Sequence, residues 1–343
     1  MRKRIGVLWM ALLLVAAGCG NVTGDEAGAA KREAGTKTEP ETVSLVLDWY
    51  PNGVHQVFYV GMEKGFYEEE GITLEIRFPS GTSDGLSMPA AGAVDLGLYY
   101  MHDVIMAAAD QDIPVKTIGT LVQAPLAVVM SLNDQGIATP GDLEGKSLGH
   151  NGTALSEAKI QAMLDWAGVS GDQVTAVDVG FDLMSSMTTG QVDATMGALI
   201  NHEVPQLEEE GFSVDYFLIT EYGIPDYYEL VFVAGEKQLS ENLEKYESFL
   251  RATNKAYEYM AENPEESLQI LLRNQSAENF PLSETVEEKS SAYLAAVYAA
   301  EGHFFLDQDQ GVWEENIRWM KERGLIQGEI TAEQIVAELD WRE

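Results

Sequence analysis

Cysteine is all but missing. The 343 residues contain one, Cys19, so no disulfide framework and no multi-cysteine metal or iron–sulfur site can form within the chain. Positive charge is scarce: 21 Lys and Arg stand against 56 Asp and Glu, a formal charge of −35. Such a surface repels a nucleic-acid backbone, so nucleic acid is not an expected partner. The five histidines, His55, His102, His150, His202 and His303, include no pair with metal-ligand spacing, and there is no Walker loop and no G-x-G-x-x-G. No metal, no resident cofactor and no catalytic set are expected. Arginine is absent between Arg77 and Arg251. Sites for carboxylates, sulfonates and phosphates favour arginine, whose planar fork pairs with two oxygens at once, so the gap argues against an anionic cargo. What is present is globular: 45% of residues are hydrophobic and 22% charged, and at roughly 150 residues per domain the length suggests two domains.

The N-terminus reads as an export signal. Arg2, Lys3 and Arg4 precede an uncharged, mostly apolar run from Ile5 to Gly18. That run is short of the roughly 20 residues a transmembrane helix needs and suits a signal-peptide core. It ends in Ala16-Ala17-Gly18-Cys19, which resembles a bacterial lipobox, with Ala16 where leucine is usual. Three readings stand: lipidation of Cys19 as the first mature residue, an ordinary signal cut nearby, or a buried cysteine. The signal spans 1–18 and a flexible tether 19–41, rich in Gly, Ala, Thr, Lys and Glu. Cleavage before Cys19 removes three positive charges and takes the formal charge from −35 to −38. The expectation is an extracytoplasmic protein, held at the membrane by lipid.

From Val43 the chain alternates strand-like and helix-like segments. Ile72 to Phe78 has a period of two, with Ile72, Leu74, Ile76 and Phe78 against Thr73, Glu75 and Arg77. Strands are also expected over 43–48, 94–98, 115–122, 126–131, 146–149, 174–179 and 193–196. Helices are expected over 55–64, within 81–92, and over 156–167 and 182–189, with Ser156 as a possible cap. This is an α/β pattern with mainly parallel sheets. From Leu239 the chain turns helical, and its aromatics keep the 3–4 spacing of core residues. The expected architecture is two lobes with a central cleft and a helical C-terminal part. One lobe takes 42–125 with 232–343, the other 126–231.

Loops at strand ends supply aromatic and acidic groups: Asp48-Trp49-Tyr50-Pro51-Asn52-Gly53-Val54-His55, Tyr99-Tyr100-Met101-His102, Asn201-His202-Glu203, and Glu221 to Glu229 with Tyr222 and Tyr227. Ligands of open α/β sheets lie beyond the carboxyl ends of strands, where these loops fall. A flat heteroaromatic ring wants faces to stack on, and its amino groups want oxygen acceptors.

These residues resemble a family. Leu47 to His55, then Tyr59-Val60-Gly61-Met62-Glu63-Lys64-Gly65-Phe66-Tyr67, are similar to the opening signature of periplasmic binding proteins for thiamine-pyrimidine precursors (formylaminopyrimidine and hydroxymethylpyrimidine), relatives of the fungal pyrimidine synthases. The resemblance continues through Ala91–Gly97, Asp142–Lys146, Gly190–Ala194 and Tyr222–Leu230, and covers about residues 43–235. It implies a type II periplasmic-binding-protein fold. It places Trp49, Asn52, His55, Tyr59, Tyr222 and Glu229 at or near the pyrimidine, with Glu229 accepting from the 4-amino group and Asn52 pairing with a ring edge; His55 either joins the site or bonds the turn that holds Trp49. Tyr100, Asn201, Glu203 and Tyr227 join them from the loops. Gln56-Val57-Phe58 stands where the family has small residues, and the synthases' cysteine cluster is absent.

The expected function is that of an ABC-transporter solute-binding lipoprotein and not an enzyme: a monomeric receptor that captures a thiamine-pyrimidine precursor and passes it to a membrane permease driven by a cytoplasmic ATPase. The alternatives are a receptor of the same fold for a flavin or for an alkanesulfonate- or nitrate-type anion, and a pyrimidine-making enzyme using pyridoxal phosphate. The enzyme would need a Schiff-base lysine; Lys116, Lys146 and Lys159 are present but carry no motif.

Overall fold

A computed structural model of the chain describes residues 40–275, 281–299 and 302–342. The expected signal, Cys19 and the tether as far as residue 39 lie outside the described residues. Among the described residues no helix is long and apolar enough to cross a membrane.

Among the described residues ten strands form two five-stranded sheets. They are β1 (Glu41–Val46), β2 (Ile72–Arg77), β3 (Leu96–Tyr99), β4 (Val115–Val122), β5 (Ala127–Leu132), β6 (Ser147–His150), β7 (Thr175–Asp178), β8 (Ala194–Leu199), β9 (Val214–Leu218) and β10 (Leu230–Gly235). The orders are β2-β1-β3-β10-β4 and β7-β6-β8-β5-β9. The two-lobe α/β architecture is the expected one. The sheets are mixed, however, and not mainly parallel. β10 runs antiparallel between β3 and β4, and β5 antiparallel between β8 and β9. The physical reason is connectivity: a chain that leaves the first sheet after β4 and returns after β9 re-enters as an inserted antiparallel strand. β9 and β10 are additions to the expected strands. β10 is buried at every position, so it shows a continuous apolar run and no alternation.

Local chemistry explains the helices. The helix Gln56–Lys64 stops at Gly65, whose φ of 77° is the left-handed conformation glycine adopts at low cost. The helix Ala154–Ala167 begins two residues before the expected start. Its cap is Thr153, whose hydroxyl accepts from the Ser156 amide at 3.1 Å, and not Ser156 itself. The expected aromatic core is in place: Phe232 and Phe249 pack edge to face at 5.3 Å in the first lobe, with Phe58 and Tyr67 beside them.

Two glycines permit one close approach. The helix Asp84–Ala90 lies directly on β3, and a Cβ on Gly97 would fall 2.0 Å from the Gly85 carbonyl oxygen. Backbone stands on both sides, so nothing flexible can give way. Gly97→Ala should therefore lower stability by about 1–3 kcal/mol through overpacking, seen as a lower urea midpoint. An unchanged midpoint would show that helix and strand can part freely.

The C-terminal helix Gln310–Glu322 straps the two lobes together. The Asn316 amide meets His102 of the first lobe at 2.9 Å and donates to the Asp226 carbonyl at 2.8 Å, in the segment that returns to the first sheet. The Trp319 indole donates to the Gly223 carbonyl at 3.2 Å, and Arg323, just beyond the helix, pairs with Asp165 of the second lobe at 2.7 Å.

Candidate functional site

The site is built where the chain crosses between sheets. The crossings run from Val122 to Ala127 and from Leu218 to Leu230, and Glu229 stitches them together. Its amide donates to the Val122 carbonyl at 3.0 Å, and its Oε2 accepts from the Leu126 amide at 2.8 Å. The side chain is buried. Burial pushes its pKa above the ordinary carboxylate range, against the opposing pull of the Leu126 amide and Lys159. A buried carboxylate needs partners. Oε2 has one in the Leu126 amide, and the Tyr227 side chain also favours the ionised form.

The loop after β1 supplies the second acidic group. Asp48 Oδ1 lies 2.8 Å from His55 Nε2, and Oδ2 accepts from the Tyr100 hydroxyl at 3.3 Å. His55 is fully buried and its Nδ1 accepts from the Asn52 amide at 3.2 Å. Asn52 caps the short turn Gly53–His55, its side chain accepting from the Val54 amide at 2.9 Å. Asn52 and His55 therefore act together to hold the turn that presents Asp48 and Trp49. Of the two openings left for His55, the structure takes the second. Tyr100 is held strongly to its protonated form, first by burial and then by Asp48 and Glu229, so its hydroxyl is a donor.

Trp49 is half exposed at the strand's end. Its ring lies edge to face with Tyr50 at 5.7 Å and 6.5 Å from the ring of Phe181. Phe181 follows β7 in the second lobe and is 79% exposed, so the pair spans the two lobes. Tyr227 is buried, with His102 at 4.5 Å and the Lys159 ammonium 4.4 Å over its ring. Burial first, and then Glu229, hold the Tyr227 hydroxyl strongly to its protonated form. Burial, with Lys159 nearby, holds His102 well below its ordinary pKa, so it is neutral.

The other candidates go elsewhere. Tyr59 sits in the first lobe's core, where burial pushes its pKa up to about 12. Tyr222 packs edge to face on Trp166 at 4.9 Å and on Phe217 at 5.1 Å. Glu203 accepts from the Leu199 amide at 2.7 Å and meets His202 at 3.2 Å, bracing its own helix start. Asn201 donates to Ser290 at 3.1 Å and leaves its carbonyl oxygen buried without a partner. The structure thus gathers Asp48, Trp49, Tyr100, Tyr227 and Glu229, with Asn52 and His55 as supports. Sequence reasoning places neither Phe181 nor Lys159 in the cleft. A lone Phe in a loop and a Lys inside a helix carry no pattern that would mark them.

Gly81-Thr82-Ser83-Asp84-Gly85 spells G-x-S-x-G, the pattern of a nucleophile elbow. In the structure Ser83 is exposed and precedes a helix whose Asp84 accepts from the Ser80 and Gly81 amides. Among the described residues no histidine bonds Ser83. Nor does any group of three or more His, Cys, Asp or Glu among the described residues stand together as metal ligands.

The fold is shared with the alkanesulfonate-binding protein SsuA of Xanthomonas axonopodis pv. citri, solved bound to MOPS: TM-score 0.65, 13% identity, 88% of this chain and 99% of that one. A formylaminopyrimidine-binding protein of Halalkalibacterium halodurans is 41% identical over 293 residues, 85% of this chain and 88% of its own length. A 4-amino-5-hydroxymethyl-2-methylpyrimidine phosphate synthase of Aspergillus parasiticus is 25% identical over 267 residues, 74% of this chain and 77% of its own. The family model described as NMT1/THI5 like matches residues 52–267, and with that match the chain belongs to the NMT1/THI5-like family.

Proposed function

We propose that this chain is the extracytoplasmic receptor of an ABC importer, that it binds a thiamine-pyrimidine precursor between its lobes, and that Cys19 anchors it by lipid beside the permease that receives the cargo. The observation that carries the reading is the pair of carboxylates, Asp48 and Glu229, that act on the Tyr100 hydroxyl, together with the Trp49–Phe181 pair that spans the lobes. An aminopyrimidine needs oxygen acceptors at its edge and aromatic faces above it, and this cleft offers both. The 41% identity to a protein named for formylaminopyrimidine binding supports the same cargo. An alkanesulfonate fits less well, because its negative charge would meet Asp48 and Glu229 with no arginine from the stretch between 77 and 251.

Closure selects the ligand that touches both lobes at once. Trp49 reaches from one lobe and Phe181 from the other, so a stacked ring reports the closed state to a permease without any chemistry on the ligand. The test is mass spectrometry of small molecules released from protein purified without dialysis, followed by calorimetry with the species found. A 4-aminopyrimidine is expected. Tight binding of an alkanesulfonate with no binding of any pyrimidine would overturn the cargo.

A further inference from the structure

The helix Glu284–Ala295 packs in the first lobe, with Leu294 in the core, and touches both the turn after Trp49 and the second lobe. On the turn side, Glu287 is 1% exposed and its Oε2 accepts from the Gly53 amide at 2.6 Å. The approach is close: a Cβ on Gly53 would stand 2.7 Å from Ser290 Oγ. Ser291 donates to Gln56 at 2.7 Å, and just past the helix the Tyr298 hydroxyl donates to the Gly53 and Val54 carbonyls at 3.1 and 3.2 Å. On the second-lobe side, Ser290 accepts from Asn201 at 3.1 Å. Lys289 pairs with Glu208 and Ser283 donates to Glu209, each at 2.6 Å, so the helix Glu203–Glu209 is held as well. Glu287 and Ser290 stand three positions apart and so share one helix face. The residue that holds the turn and the residue that meets the second lobe are neighbours.

We propose that Glu287 is a positioning residue for the turn that presents Asp48 and Trp49, and that the helix Glu284–Ala295 transmits the place of the second lobe to that turn. Contiguous hydrogen bonds on a rigid helix are a physical means of such coupling. Asn52 and His55 fix the shape of the turn from within, whereas Glu287 fixes its place against the helix. The electrostatics run the same way. Burial pushes the Glu287 pKa up, and His202 of the second lobe, the Gly53 amide and His55 of the turn oppose it. A buried carboxylate needs such partners, and these come from both of the elements that the helix joins. The inference goes beyond the cargo, since it concerns the turn whatever ligand meets it.

The experiment reads the turn in the ligand-free protein by fluorine NMR, with 5-fluorotryptophan incorporated throughout. Trp49 is assigned by the signal lost in Trp49→Phe, and the signal of the fully buried Trp313 reports an intact fold. Glu287→Ala should shift the Trp49 signal and leave that of Trp313 in place. Glu287→Gln, whose amide oxygen can still accept from Gly53, should restore most of the wild-type position. Asn201→Ala, in the second lobe, should also shift Trp49. Phe181 gives the second lobe a direct route to Trp49, its ring 6.5 Å away. That arm is therefore repeated in Phe181→Ala, where the shift should persist. A Trp49 signal unmoved by Glu287→Ala, or an Asn201→Ala shift that vanishes with Phe181, overturns the inference. Should Glu287→Ala not fold, the Asn201→Ala arm in Phe181→Ala decides alone. No cargo enters the test, so its failure leaves the aminopyrimidine reading as it was.

Discussion

Trp313→Ala is expected to lower the stability of the ligand-free protein by about 3–5 kcal/mol, the range for truncating a buried Trp or Phe. Trp313 is fully buried on the strap helix Gln310–Glu322, packed edge to face with Tyr228 at 6.3 Å. Its indole nitrogen has no hydrogen-bond partner among the described residues, so the loss is one of packing alone: contacts removed and a cavity left behind. Tyr228 anchors the far side, its hydroxyl accepting from the Asp309 amide at the helix cap at 2.8 Å. The cavity would open between the strap and the segment that returns to the first sheet, where little can collapse to fill it. Urea unfolding followed by circular dichroism measures the cost, and Trp313→Phe should recover part of it. A Trp313→Ala midpoint equal to the wild type's would show that the strap helix contributes little to holding the lobes.

The same helix shows how far sequence carries. Its spacing of Val312, Trp313, Ile317 and Met320 marks a helix with a buried face, and Trp313, Ile317 and Met320 are buried as expected. What the spacing does not encode is which partner that face meets. His102, Asp226 and Gly223 are bonded to it from residues 90 or more positions away. The same limit applied at the site. Pro51 and Gly53 mark a turn after β1, and that turn does expose Trp49. The elements on either side were legible because their side-chain periods differ, two for β2 and 3.6 for the helices. β10 was not, because a strand buried on both faces has no period to read. Asn52 and His55 were legible as members of a motif, but only the geometry shows them spent on one another and on Asp48. Lys159 was invisible as a cleft residue, since its place over a ring depends on a tyrosine 68 positions further along the chain.

Glu229→Gln should weaken binding of a 4-aminopyrimidine by about 1.5–3 kcal/mol, the range for a hydrogen bond to a charged group, while leaving an alkanesulfonate unaffected or bound more tightly. The substitution keeps the shape, and the amide oxygen can still accept from the Leu126 amide that Glu229 holds at 2.8 Å, so the crossing segments stay joined. Stability should not suffer. The folded-state pKa of Glu229 is raised, chiefly by burial. Its stabilising contribution is therefore present below the unfolded-state pKa and is lost as pH rises through the folded-state value. At neutral pH the ionised side chain is a burden on the ligand-free fold, and a neutral amide relieves it. The ligand reverses that balance, because its amino group adds a further hydrogen bond to the ionised carboxylate. As pH falls through the raised pKa the wild-type carboxyl takes up a proton and ceases to be a charged acceptor, so wild-type affinity should decline on the acid side. Glu229→Gln should lack that decline. Calorimetry across this range separates the roles: a Glu229→Gln curve that keeps the wild-type pH dependence would place the titrating acceptor elsewhere, with Asp48 the next to replace.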